Sequence, residues 1–148
     1  MAERTDVVTR RHTGVGPGRV LVGVYALFAL SAGVRAGYQI SQRFSEAPVA
    51  YLLSALAAAI YLVAAIGLAS GGPAARRVAL ACCSVELCGV LVVGTASLLL
   101  PESFPDATVW SGYGMGYGFV PLILPVLGLL WLWRSARATP RAHESASG

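Results

Sequence analysis

The run from Val78 to Leu100 constrains this chain more than any other stretch, because it is apolar and long enough to cross a bilayer yet carries a carboxylate, Glu86, near its middle. Arg76 and Arg77 precede it, Pro101 closes it, and its interior reads CCSVELCG from Cys82 to Gly89. At helical rise Glu86 lies roughly 12 Å in from Val78, close to the midplane of a hydrocarbon core about 30 Å thick. An ionised carboxylate facing lipid at that depth costs at least ~2.5 kcal/mol, so Glu86 is expected to face inward, take up a proton, or find a partner. Three and four residues away lie Cys82, Cys83, Gly89 and Val90, with Ala79, Val93 and Ser97 one turn further. That is a small-residue face suited to another helix.

Composition extends this reading to the whole chain. With 56% hydrophobic and only 12% charged residues and a mean hydropathy of +0.67, it is too apolar for a soluble domain, where about a quarter of residues are charged. Three further apolar runs complete the set, so the predicted fold class is all-α, a four-helix transmembrane bundle with spans near 20–40, 48–70, 78–100 and 109–133. Residues 19–134 form one membrane domain, and the polar segments 1–18 and 135–148 are expected to be flexible cytoplasmic tails. The Arg10-Arg11 pair is followed by His12, Thr13 and glycines rather than an apolar region, so no export signal is expected.

Arginine placement sets the expected orientation. Arg4, Arg10, Arg11, Arg19, Arg76, Arg77, Arg134, Arg137 and Arg141 fall on one side of the four spans, and Arg35 and Arg43 on the other. By the positive-inside rule both termini are cytoplasmic, in a multi-pass protein of the cell membrane. The tail arginines can hold anionic lipid head groups at the cytoplasmic face. The net charge of +4 arises without any lysine, a usage that suggests a GC-rich bacterial genome. It does not mark a nucleic-acid binder, because the arginines cluster at span ends and are not interleaved with aromatics.

Within the spans the one basic residue is Arg35, roughly 22 Å along span one from Val20. Ser31, Arg35, Tyr38, Gln39 and Gln42 make a polar stripe on one helix face. Tilt and two long side chains can bring Arg35 to Glu86, so the pair is expected either to form an intramembrane ion pair or to mark an ion or ligand site. Span two has no charge from Pro48 to Ser70 and is rich in alanine, which suits close helix packing. Ser45, Glu46 and Pro48 mark the turn into it, and Gly71, Gly72 and Pro73 the hairpin out of it.

Span four is the least ordinary. Read as one helix from about 109, it places Gly114, Gly118, Pro121, Pro125 and Gly128 on a continuous packing seam, with Tyr113, Tyr117, Val120, Leu124, Leu127 and Trp131 beside it. Trp110, Trp131 and Trp133 are placed as interfacial anchors. The competing reading unwinds Ser111 to Gly118, as irregular backbone at membrane depth can do only when sheltered. The two Gly-Tyr-Gly triplets lack the threonine and valine that precede such a triplet in a potassium filter.

The residues do not predict catalysis or a cofactor. His12 and His143 lie in the tails, Cys82, Cys83 and Cys88 share one helix, and no His, Asp or Lys joins Glu86 within the spans to serve as a second titrating group. The segments RVLVGVYALFALSAGVR, EAPVAYLLSALAAAIYL and VWSGYGMGYGFVPLILPVLGLLWL give the chain, from Arg19 to Arg134, the look of a family of uncharacterised small four-span integral membrane proteins of actinobacteria. That resemblance implies a cell-membrane location and carries no activity. Small multidrug-resistance transporters also pair four spans with a buried glutamate, but theirs is in the first span. The expected role is a non-enzymatic membrane partner or assembly component, with a homo-oligomer or another membrane protein as partner. The alternative is a small oligomeric transporter or proton-coupled channel with Glu86 as its titrating site and Trp110 to Pro125 lining the pathway.

Overall fold

The computed structural model describes residues 16–138. The tail expectations for 1–15 and 139–148, with Arg4, Arg10, Arg11, His12, Arg141 and His143, lie outside the described residues. Four long helices, α1 (Pro17–Arg43), α2 (Pro48–Ala69), α3 (Pro73–Leu99) and α4 (Val120–Arg137), make the chain all-α. Each is long and apolar enough to cross a membrane. Each also carries proline in its first turn, where a missing N–H costs nothing and the fixed φ suits helix entry. Several boundaries differ from the expected spans, since α1 runs on to Arg43 and α3 begins at Pro73. Helix α1 takes in Pro17 and Gly18, and α4 runs on through Ser135 to Arg137. At α4's end the Arg137 guanidinium covers the Trp133 ring at 3.6 Å, a contact that favours continued helix.

Short connections make α1 and α2, and α2 and α3, antiparallel, and the packing follows chain order: α1 lies most extensively on α2, α2 on α3, and α3 on α4. Small residues fill the interior, among them Ala32, Ala36, Ala57, Ala64 and Ala79. Large apolar side chains, such as Leu30, Leu56, Val92 and Leu130, point outward. Such an exterior, continuous over all four helices, suits a lipid surround and not water. Close approach has specific causes. At Gly67 an added Cβ would stand 3.2 Å from the Ala75 carbonyl and 3.3 Å from the Ala79 methyl, so α2 and α3 touch backbone to backbone there.

The chain between α3 and α4 departs from the one-helix reading and follows the competing one, in which Ser111 to Gly118 is unwound. It is not the top of a fourth helix. After a single turn at Pro101–Ser103 it descends into the bundle, and residues Ser111–Tyr117 make tight turns interrupted by left-handed backbone at Gly112, Tyr113 and Gly114. Gly118 and Phe119 are left-handed as well, so α4 cannot start before Val120. The seam predicted from Gly114 to Gly128 is therefore broken. Pro121, Pro125 and Gly128 keep it, buried on one face of α4. Gly114 reaches Pro121 by a different route, because the Phe119 amide donates to the Gly114 carbonyl at 3.0 Å and folds the segment back. A Cβ at Gly114 would meet the Pro121 ring at 2.8 Å. Tyr113 and Tyr117 leave the predicted bulky strip of α4 for the same reason. Trp110 is not an interfacial anchor either. It is 2% exposed, sits on Gly89 of α3, and donates its indole N–H to the Tyr61 hydroxyl at 3.0 Å.

This descent depends on α3 being bare at Gly94. A Cβ there would stand 2.5 Å from the Tyr113 ring and 2.8 Å from its backbone nitrogen. Gly94→Ala is expected to destabilise the protein by about 1–3 kcal/mol, read by thermal unfolding in detergent. Gly37→Ala, where a Cβ meets nothing within 4 Å, is expected to be neutral or slightly stabilising. Equal losses at both positions would show that Gly94 admits no close neighbour.

Candidate functional site

Glu86 lies midway along α3 and is completely buried, on the face shared by Ala79, Cys83, Val90 and Val93. Its expected inward orientation and small neighbours are present. Its partner is not the expected one. The Tyr25 hydroxyl of α1 donates to Glu86 Oε2 at 2.8 Å and lies 3.4 Å from Cys83 Sγ. Helix α4 closes the site from the third side with Gly128, where an added Cβ would fall 2.8 Å from Cys83 Sγ and 3.5 Å from the Tyr25 hydroxyl. Glu86 Oε1 has no hydrogen-bond partner among the described residues.

Arg35 does not reach this carboxylate. Its guanidinium donates to the Tyr117 hydroxyl at 2.6 Å. Among the described residues the one ion pair is the exposed Arg43–Glu46 contact at 3.9 Å. The reason is distance and intervening rings. Tyr25 and Arg35 are nearly three turns apart on α1, roughly 15 Å of rise. Between their levels stands a column of aromatics: Tyr25 against Tyr61 with ring centres 6.1 Å apart, Tyr61 against Phe28 at 6.0 Å, and Phe28 against Tyr117 at 6.0 Å. The two charges predicted to meet are capped at opposite ends of that column by phenol hydroxyls.

Arg35 and Gln39 of the α1 polar stripe bond the loop instead, while Ser31, Tyr38 and Gln42 are exposed. Gln39 donates to Asp106 Oδ2 at 3.4 Å, and the Tyr51 hydroxyl donates to the same oxygen at 3.0 Å. Asp106 Oδ1 accepts the amide of Ala107 at 3.0 Å. Further hydroxyls tie the descending segment to α3. Ser97 accepts the Gly112 amide at 2.9 Å while donating to the Gly94 carbonyl, and Thr95 meets the Tyr113 hydroxyl at 2.9 Å. At the other end Arg76 donates to the Leu132 carbonyl of α4 at 3.0 Å.

Sequence reasoning singled out Glu86 and overlooked Tyr25. The signal was the helical spacing of Leu21, Tyr25, Ala32, Ala36 and Gln39, which are the buried residues of α1. A phenol on a buried stripe at membrane depth needs an acceptor, and Glu86 is one. Chemically the site offers a carboxyl, a phenol and a thiol, with one carboxyl oxygen unengaged. Among the described residues no group of three His, Cys, Asp or Glu is placed to hold a metal ion.

The Tyr25–Glu86 contact is expected to be energetically coupled. In a double-mutant cycle of Tyr25→Phe and Glu86→Gln, unfolding in detergent should show each single change destabilising by about 1–3 kcal/mol and a coupling of at least ~0.5 kcal/mol. A matching cycle of Glu86→Gln with Arg35→Gln should be additive. Coupling in the second cycle and none in the first would reverse the assignment of the partner. No protein-family model, no curated protein and no solved structure matches the chain.

Proposed function

We propose that this protein is a non-enzymatic component of a cell membrane, a partner or assembly subunit whose buried Glu86 specifies how its own helices pack. The observation that carries this reading is the sealing of Glu86: it is 0% exposed, bonded to Tyr25, and closed over by Cys83 and Gly128. Five surface clefts among the described residues are lined by other residues. A site that works on a solute needs a path for it, whereas a packing determinant needs none.

Two further observations support the rest of the reading. Arg19, Arg76, Arg77, Arg134 and Arg137 lie at one end of the helices and Arg35 and Arg43 towards the other, a distribution that by the positive-inside rule supports cytoplasmic termini. Between α1 and α2 runs a shallow groove floored by Ala26, Ala29, Gly33, Ala58 and Ala59. Small residues of this kind let a further helix come close, which suits a membrane partner or a second copy.

A second reading, a small oligomeric transporter or proton-coupled channel, is favoured by one feature, the unpartnered Glu86 Oε1. A buried acceptor left open is what a proton, ion or ligand would engage. Purified protein in liposomes separates the two. With a pH-sensitive dye inside, proton flux under an imposed gradient is expected to equal that of protein-free vesicles, and Glu86→Gln to leave it unchanged. Flux that depends on Glu86 would overturn the scaffold reading in favour of the transporter.

A further inference from the structure

We propose that the cleft between Arg35 and the loop from Pro101 to Tyr117 binds a single oxyanionic group, a phosphate or carboxylate, with Arg35 as the charge that selects it. The cleft encloses about 360 Å³. Its polar lining is Arg35, Ser97, Thr108, Ser111 and Tyr117, and its apolar lining includes Leu98 and Met115.

The cation in this cleft is held but not neutralised. A guanidinium has five N–H donors in a planar fork matched to two oxygens of an anion. Among the described residues its hydrogen-bond partner is the Tyr117 hydroxyl, and no carboxylate pairs with it. Tyr117 is itself fixed by its contact with Phe28, so the hydroxyl aims the fork without consuming the charge. The carboxylates of the same loop are accounted for. Asp106 is engaged on both oxygens, by Gln39, Tyr51 and the Ala107 amide, and Glu102 is exposed and forms no ion pair with a described residue.

Part of the cleft lining carries no side chain. Gly112 and Gly116 supply it, and at Gly116 even an added Cβ would meet nothing within 4 Å. A ligand can therefore lie against bare backbone there. The hydroxyls of Ser97, Thr108 and Ser111 are already bonded to one another or to backbone, so they shape the cleft and leave the anion to Arg35. The mixed lining admits two sources of the same chemistry: a lipid whose chain lies along Leu98 and Met115, or a small soluble anion.

Thermal unfolding of the full chain in a neutral detergent, titrated with phosphatidylglycerol, phosphatidylcholine or inorganic phosphate, tests the site. Phosphatidylglycerol is expected to raise the unfolding temperature saturably and phosphatidylcholine not to. Arg35→Gln should raise the half-saturating amount about tenfold, Arg35→Lys should raise it less, and Arg43→Gln should leave it unchanged. Saturable stabilisation by inorganic phosphate that Arg35→Gln removes would assign the site to a soluble oxyanion. Should Arg35→Gln not fold, Arg35→Lys and the contrast between the two lipids still decide. Equal responses to both lipids with no response to phosphate, or full retention of the response in the Arg35 variants, would overturn the proposal.

Discussion

The hydrogen bond from Tyr25 to Glu86 is the constraint around which the bundle is arranged. In hydrocarbon there is no water to satisfy a carboxyl, so whichever helix carries it must be covered by protein at that level. Helix α3 meets the requirement by presenting Glu86 among Ala79, Cys83 and Val90, small enough for α1 to bring a phenol within 2.8 Å. Helix α4 then has no room for a side chain at the same level and carries Gly128. Three helices thus fix one another's register at one polar contact. The fourth, α2, contributes Tyr61, whose ring lies against Tyr25.

Above that level the interior changes character. The aromatic column of Tyr25, Tyr61, Phe28 and Tyr117 fills the space that small residues leave open elsewhere, and Trp110 joins it from the loop by donating to Tyr61. Each polar tip in the column has a partner, as buried phenols and indoles need. The column also explains how irregular backbone is tolerated so deep in an apolar bundle. The turns of 108–119 are bonded to Ser97, Thr95 and one another, and they lean on α3 at Gly89 and Gly94, where no Cβ intervenes. Shelter by α3 replaces the hydrogen bonds that a continuous helix would have supplied.

The four apolar helices and the inward face of Glu86 were legible in the sequence because both rest on composition and period. Long runs without charge have few alternatives to a spanning helix, and a carboxyl at mid-depth has few alternatives to burial. The start of α4 was not legible from the same signals. Glycine at 112, 114, 116 and 118 fits a close-packed helix and an unwound segment equally well. The decision came from Gly94 and Gly89, distant in sequence, which leave pockets that Tyr113 and Trp110 occupy. The Arg35–Glu86 pairing failed for a related reason. Charge complementarity named both residues, but depth alone could not register the aromatic rings packed between them. Tyr25 was hidden because a tyrosine within an apolar run reads as an anchor until its partner is known.

The manner in which Glu86 is sealed bears on which function it can serve. For its carboxyl to exchange with water, the Tyr25 bond must break and α4 must move away at Gly128, since the thiol of Cys83 and the Tyr25 hydroxyl lie directly beneath that glycine. Tyr25 is in turn packed against Tyr61, which accepts the Trp110 indole N–H, so its displacement disturbs that contact as well. Opening gives up a buried hydrogen bond together with tight packing, and the two losses come as a unit because the Tyr25 ring makes both. A transport cycle would have to recover that cost from a ligand at Glu86 Oε1. A packing determinant does not, because the closed arrangement is itself the product. The scaffold reading therefore asks less of this interior than the transport reading does.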